Sequence, residues 1–354
     1  MAAAPPLFTT PPEQRATVLA FLRRQLFVAP SLVQDVDLKG KTAIVTGSSS
    51  GIGLEISRQL LDLGLSRLVL AVRNKQKGQQ AKTQLLKNRE LPDSAIDVWK
   101  LDLFSYDSIT AFAERARTRT VDIAVLNAGI FNQTFELSSA NPTSYVESVQ
   151  VNVLSNTLLS ILLLPVLQPK SPSQPPSRLV VVSSDAAGFA KFKERENQPL
   201  LPSLNSPENF NGWERYCTSK LLGQLAISEL AKRVDPSATI ITLPNPGLIY
   251  GTRLGQLSEP NIVDKIGNVI RRIFGRHVSV GTRTITAAAV KFDTKAHGQY
   301  VEDGKLEPLA PFVYEPEGER VAKLLWDEIM EESSFAKVED ILSRINGSQA
   351  RKQA

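Results

Sequence analysis

From Lys41 onward, short β-branched runs alternate with longer helical stretches, and this rhythm constrains the chain most: it builds βαβ units on a parallel sheet. Six strands are expected, at Thr42–Thr46, Arg67–Val72, Ile96–Leu101, Ile123–Leu126, Arg178–Ser183 and Thr239–Leu243. Helices are expected between them at about 52–63, 76–88, 106–117, 142–168 and 212–233. Right-handed crossovers place helices on both faces, so the fold class is α/β with a single doubly wound parallel sheet. An amino-terminal arm over 1–38 precedes one domain over 39–354.

The first strand runs into Thr46-Gly47-Ser48-Ser49-Ser50-Gly51-Ile52-Gly53, after which a helix begins. Glycines let the backbone turn and approach a pyrophosphate closely, and the helix start supplies free N–H groups and partial positive charge. Gly47, Ser49, Ser50, Gly51, Ile52 and Gly53 are therefore candidate dinucleotide-binding residues. The second strand ends at Val72-Arg73, where an NAD-preferring site offers an acid to the ribose 2′-hydroxyl. Arg73 can instead pair with a 2′-phosphate, which favours NADP(H). Asp102, after the third strand, is placed to accept the adenine amino group or to cap the next helix. Asn127-Ala128-Gly129 closes the fourth strand with small residues suited to a ribose. Pro246-Gly247 turns the chain beside the expected nicotinamide, with Thr252 nearby to hold its carboxamide.

Tyr216 and Lys220 stand four apart on an expected helix and share one face. An ammonium near a phenol favours the phenolate and draws its pKa down from about 10, making the phenol a usable acid or base. Ser184 ends a buried strand, where its hydroxyl can hold a carbonyl oxygen. Asn152 lies on an otherwise apolar helix, where its amide must find partners. With the glycine loop, these four form one catalytic constellation.

Thr46–Gly53, Asn127–Gly129, Asn152, Ser184, Tyr216-Cys217-Thr218-Ser219-Lys220 and Pro246-Gly247 together resemble the short-chain dehydrogenase/reductase family, over roughly residues 39–330. The resemblance implies one Rossmann-type domain. Within it Tyr216 gives or takes the proton, Ser184 orients the substrate oxygen, Lys220 binds ribose and lowers the tyrosine pKa, and Asn152 positions a proton-relay water. Leu70–Asn74, the amino-terminal arm and Leu324-Leu325-Trp326-Asp327 are similar to the retinol-dehydrogenase-like branch, especially fungal members of secondary metabolism. Relative to the family, the Ser184–Tyr216 interval is longer and Asn245–Thr252 has one extra residue.

A net charge of +5 with no block of five like charges demands no nucleic acid partner, and a single cysteine needs no oxidising compartment. Cytoplasmic residence is expected. Cys217 points away from the tyrosine face and reads as a packing residue; His277 and His297 have no metal-ligand spacing, so no metal is expected. The apolar run 158–167 is shorter than the roughly 20 residues of a membrane span. On the arm, Val18, Leu19, Leu22, Leu26 and Phe27 form an apolar face, expected to dock on the body, with membrane-surface contact the alternative. Segments near 188–212 and 250–290 follow strand ends and are expected to wall a substrate pocket, although 190–211 reads equally as a tolerated surface insertion.

The expected activity is hydride transfer between NADP(H) and the carbonyl/secondary-alcohol pair of a mainly apolar small molecule. A polyketide-like metabolite fits the fungal resemblance, and a homodimer is compatible with it. A non-catalytic NADP-sensing protein, or an epimerase or dehydratase retaining cofactor, are the alternatives.

Overall fold

The computed structural model describes residues 8, 10–169, 171, 173–252, 272 and 274–353. Its strands are β1 Thr42–Thr46, β2 Arg67–Val72, β3 Ile96–Lys100, β4 Ile123–Leu126, β5 Ser177–Val181, β6 Thr239–Asn245, β7 Gln299–Glu302 and β8 Lys305–Glu307. The helices are α1 Val18–Phe27, α2 Gly51–Asp62, α3 Lys75–Leu86, α4 Tyr106–Ala116, α5 Glu147–Val166, α6 Gly212–Ala231, α7 Val278–Val290, α8 Pro316–Glu332 and α9 Val338–Gln353.

These eight strands form one sheet, ordered β8-β7-β6-β5-β4-β1-β2-β3, in which β8 alone among the described strands runs antiparallel; Ile249–Tyr250 and Arg276–His277 pair apart from it as a short parallel ladder. Period-2 alternation divides the strand side chains between two layers. Ala43, Val45, Leu68, Leu70 and Val72 meet α2, α3 and α7 through Ile56, Leu60, Leu85 and Ile285, whereas Ile44, Val69 and Ala71 face the layer containing Ile109, Leu158 and Ile227 of α4, α5 and α6. The order reverses at β1, between β2 and β4, opening a crevice beyond their carboxyl ends.

The β7–β8 hairpin lies outside the six expected strands. Its turn, Asp303-Gly304, has φ of 52° and 78°, the geometry that an Asp-Gly pair adopts readily. Helix α5 begins at Glu147 and not at 142, because Leu137 bridges Val146 and the Val146 N–H is taken by Asn205 Oδ1 at 2.9 Å. Its twenty residues are long and apolar enough to cross a membrane, but 94% of the tested window is buried within the protein, the setting of a central core helix.

The arm docks by the opposite face from the one expected. Arg15 and Gln25 are buried, while Leu19 is 79% and Phe27 80% exposed. The reason is electrostatic: Glu302, at 2% exposure on β7, pairs with Arg15 and, at 3.1 Å, with Arg24. Glu307 on β8 takes Arg15 Nη1 at 3.0 Å. A carboxylate this buried demands a partner more strongly than an aliphatic surface demands cover.

Candidate active site

Thr46 closes β1 and fixes the cofactor crevice. Its Oγ1 accepts the N–H groups of Asn127 and Ala128, both at 2.9 Å, and its carbonyl accepts Asn127 Nδ2 at 3.0 Å. The ends of β1 and β4 are thereby locked together. Gly47 and Gly51 have φ of 64° and 56°, a region costly for other residues. A Cβ on Gly53 would sit 2.5 Å from the Gly47 carbonyl oxygen, so the start of α2 lies flat against the loop. Ser49, Ser50, Gly51 and Ile52 are partly open to solvent, and Ser50 caps α2 without a side-chain hydrogen bond. The Ser48 hydroxyl is buried and has no hydrogen-bond partner among the described residues. Unclaimed donors at a helix start, beneath backbone with no side chain in the way, fit a dinucleotide pyrophosphate.

Arg73 is exposed and lies over the Phe104 ring at 5.7 Å, with no ion pair among the described residues. Asp102 Oδ1 accepts the Phe104 N–H at 3.1 Å, while Ser105 caps α4, so Asp102 shapes the turn and is not the helix cap. At the far side Gly247, φ 76°, gives its N–H to Asn245 Oδ1 at 3.0 Å after Pro246. Thr252 comes back over the glycine loop: a Cβ on Gly51 would meet its Cβ at 3.7 Å. Of the segment 250–290 expected to wall a substrate pocket, residues 253–271 and 273 lie outside the described residues.

Helix α6 carries Tyr216 and Lys220. Lys220 Nζ lies 5.9 Å from the Tyr216 ring centroid and donates to the Val182 carbonyl at 3.3 Å. Desolvation lowers the Lys220 pKa to about 8. Tyr216 is 8% exposed and packs with Phe131, at 5.2 Å between centroids, and Trp213, at 6.0 Å. Ala186 belongs to the same cluster, in the turn that Ser184 initiates by accepting the Ala186 N–H at 3.1 Å.

Asn152 sits in a π-helical turn of α5, Gln150–Ser155. Its amide grips Ile130 twice, Oδ1 accepting the N–H and Nδ2 donating to the carbonyl, both at 2.9 Å; Nδ2 also reaches Ser219 Oγ at 3.0 Å. A Cβ on Gly129 would meet Asn152 Oδ1 at 3.0 Å and Lys220 Nζ at 3.7 Å, so Gly129, Asn152 and Lys220 converge on one spot. Two supports were not evident from sequence reasoning. Ser219 joins Asn152 to the Tyr216 carbonyl, donating at 2.8 Å, and Gln224 ties Ser183 Oγ at 3.1 Å to the Ala310 N–H at 2.9 Å. The i, i+4 spacing of Lys220 and Gln224 was the available signal for the latter.

Most of the 188–212 insertion packs on α8: Leu200 and Leu201 are buried, and their N–H groups bond Glu328 at 2.6 and 2.7 Å. Phe189 and Ala190, at its start, reach the Tyr216 cluster. Cys217 is fully buried and its pKa is pushed up to about 12 by burial, as befits a packing residue. His297 bridges the Ala231 carbonyl and the Ile241 N–H, and His277 caps α7.

The sheet, the glycine loop and the Tyr216–Lys220 pair define a nucleotide-dependent oxidoreductase. Residues 41–195 match the family model described as short chain dehydrogenase, and this chain belongs to the short-chain dehydrogenase family. It is 45% identical to the short-chain dehydrogenase fogG of Aspergillus ruber, over 96% of this chain and 98% of the relative. It is 36% identical to the short chain dehydrogenase/reductase mfmJ of Annulohypoxylon moriforme, over 93% and 95%. Among solved structures, a short chain dehydrogenase of Escherichia coli CFT073 complexed with NADPH superposes with TM-score 0.56 at 18% identity, covering 77% of this chain and 99% of that one. The carbonyl reductase Sniffer of D. melanogaster does so with TM-score 0.55 at 21% identity, over 77% and 99%. The chain is thus an oxidoreductase with a nicotinamide cofactor acting on a small molecule.

Proposed function

We propose that the chain moves a hydride between NADP(H) and the carbonyl/secondary-alcohol pair of a mainly apolar small molecule, with a polyketide-like secondary metabolite as the favoured class. The observation that carries this reading is the placement of the Lys220 ammonium 5.9 Å from the Tyr216 ring, beside Asn152 and Gly129. Arg73, exposed over the Phe104 ring at the end of β2, supports a 2′-phosphate. The aromatic rim of Phe131, Trp213 and Phe189 around Tyr216 supports an apolar substrate, as do relatives from filamentous fungi.

A nicotinamide held by the glycine loop and the Asn245–Leu248 turn would supply or accept the hydride. The Tyr216 hydroxyl gives its proton to the carbonyl oxygen in the reductive direction and takes it back in the oxidative one. Ser184 donates a hydrogen bond to that oxygen and fixes its position. The Lys220 ammonium would hold a ribose hydroxyl of the cofactor, and its charge favours the tyrosinate. Asn152, its side-chain amide engaged with Ile130 and Ser219 in the π-helical turn near Lys220, would position a relay water between Lys220 and solvent.

The test is incubation of purified protein with NADPH and a panel of aliphatic and aromatic ketones, followed by mass analysis. Alcohol product with matching NADPH consumption is the expected result. Product isomerised or dehydrated without net NADPH loss contradicts it.

A further inference from the structure

The arm reaches the active site itself. Gln25 is 7% exposed and clasps Leu248 by both backbone groups: Nε2 donates to the Leu248 carbonyl at 2.8 Å, and Oε1 accepts the Leu248 N–H at 3.1 Å. Its Oε1 also lies over Gly247, where a Cβ would come within 2.7 Å of it. One residue earlier, Arg24 pairs with Glu302, which accepts Asn245 Nδ2 at 2.7 Å, and Asn245 Oδ1 in turn holds the Gly247 N–H. Arg276 closes the assembly, reaching the Arg24 and Val28 carbonyls at 2.9 and 2.8 Å and Asp303 at 2.5 Å. In the turn begun by Ser184, a Cβ on Gly188 would meet Ala16 Cβ at 3.1 Å. The arm therefore spans the turn begun by Ser184 and the turn after β6.

We infer that the amino-terminal arm is a fixed part of the cofactor site, with Gln25 a positioning residue for the Asn245–Leu248 turn on the nicotinamide side. This inference rests on the NADP(H) reading above. A turn anchored only by its own chain is free to shift, and the two bonds from Gln25 remove that freedom before the ligand arrives, which raises affinity by preorganisation. The arm's inverted orientation follows from the same demand. Burying Arg15 and Gln25, with Arg24 half-buried beside them, leaves Val18, Leu19, Leu26 and Phe27 in water, a packing that hydrophobic burial alone disfavours. The ion pairs and the Leu248 clasp hold it.

The inference separates the two halves of the cofactor. Binding of NADPH and of 2′,5′-ADP, which has the phosphorylated adenosine but no nicotinamide, is measured by titration against wild type, Gln25→Ala and the exposed neighbour Arg23→Ala. Gln25→Ala is expected to weaken NADPH about tenfold, the effect of one to two lost hydrogen bonds, and to leave 2′,5′-ADP within about twofold. Arg23→Ala is expected to change neither. If Gln25→Ala fails to fold, Gln25→Glu keeps the shape and the acceptor for Leu248 N–H, and is expected to show the same selective loss. Wild type binding both probes, with the variant weakening both alike or neither, overturns the inference alone. Wild type binding neither probe overturns the NADP(H) reading, and the inference falls with it.

Discussion

The Lys220 ammonium lies one helical turn from Tyr216 and 5.9 Å from its ring centroid, with the Val182 carbonyl as its hydrogen-bond partner. Its pKa stands at about 8, lowered from 10.5 by desolvation. The ammonium that serves ribose and phenol is therefore present below about pH 8 and lost above it. We expect kcat/KM for NADPH, which reports free-enzyme groups, to fall on the alkaline side with a midpoint near 8, and Lys220→Met to lose that limb. The effect on stability has the opposite sense: between about 8 and 10.5 the unfolded state binds more protons, so stability rises with pH through that window. A wild-type kcat/KM profile flat through this range contradicts the assignment.

Arg73 follows β2 and is exposed over Phe104. Arg73→Ala is expected to weaken NADPH by about tenfold or more while leaving NADH unchanged, since a charge-assisted pair to the 2′-phosphate is lost. Titration of both cofactors checks this. Unchanged preference removes Arg73 from the site.

Gly53 has no room for a side chain: a Cβ would lie 2.5 Å from the Gly47 carbonyl oxygen and 2.7 Å from Asn127 Nδ2. Gly53→Ala is expected to displace the loop and cost at least about tenfold in NADPH affinity, with circular dichroism unchanged because the sheet core is not touched. Full retention of affinity contradicts the loop's role.

Cys217 is fully buried with its pKa raised to about 12. Native protein is expected to resist iodoacetamide at neutral pH, and denatured protein to take one label per chain, checked by intact mass. Rapid native labelling refutes the packing role.

The parts of the fold that were legible in the sequence are those with strong local signals. Thr42–Thr46 and Arg67–Val72 are β-branched or aliphatic runs bounded by turn residues, and they occur as read. The edge hairpin Gln299–Glu307 is short and carries charges at its ends; only Asp303-Gly304 announced it. For the arm, the apolar spacing of Val18, Leu22 and Leu26 was read correctly as a helix and wrongly as its docking face. Helical periodicity registers hydrophobicity, but here the decisive partners, Glu302 and Glu307, lie almost three hundred residues away. Within the candidate site, the grouping of Tyr216, Lys220 and Asn152 was legible because their residue types are chemically committed. Gln25, Ser219 and Gln224 were not, because a polar side chain becomes a support only once the fold gives it a backbone partner.

The most direct test of the account is turnover by Tyr216→Phe, which removes the proton donor and keeps the ring that packs on Phe131 and Trp213. With a ketone that the wild type reduces, and after folding and NADPH affinity are verified as unchanged, kcat is predicted to fall about 10²- to 10⁴-fold, the contribution of a general acid. Retention of more than about a tenth of wild-type turnover, far above that range, would mean that another group delivers the proton and that Tyr216 is not the catalytic acid.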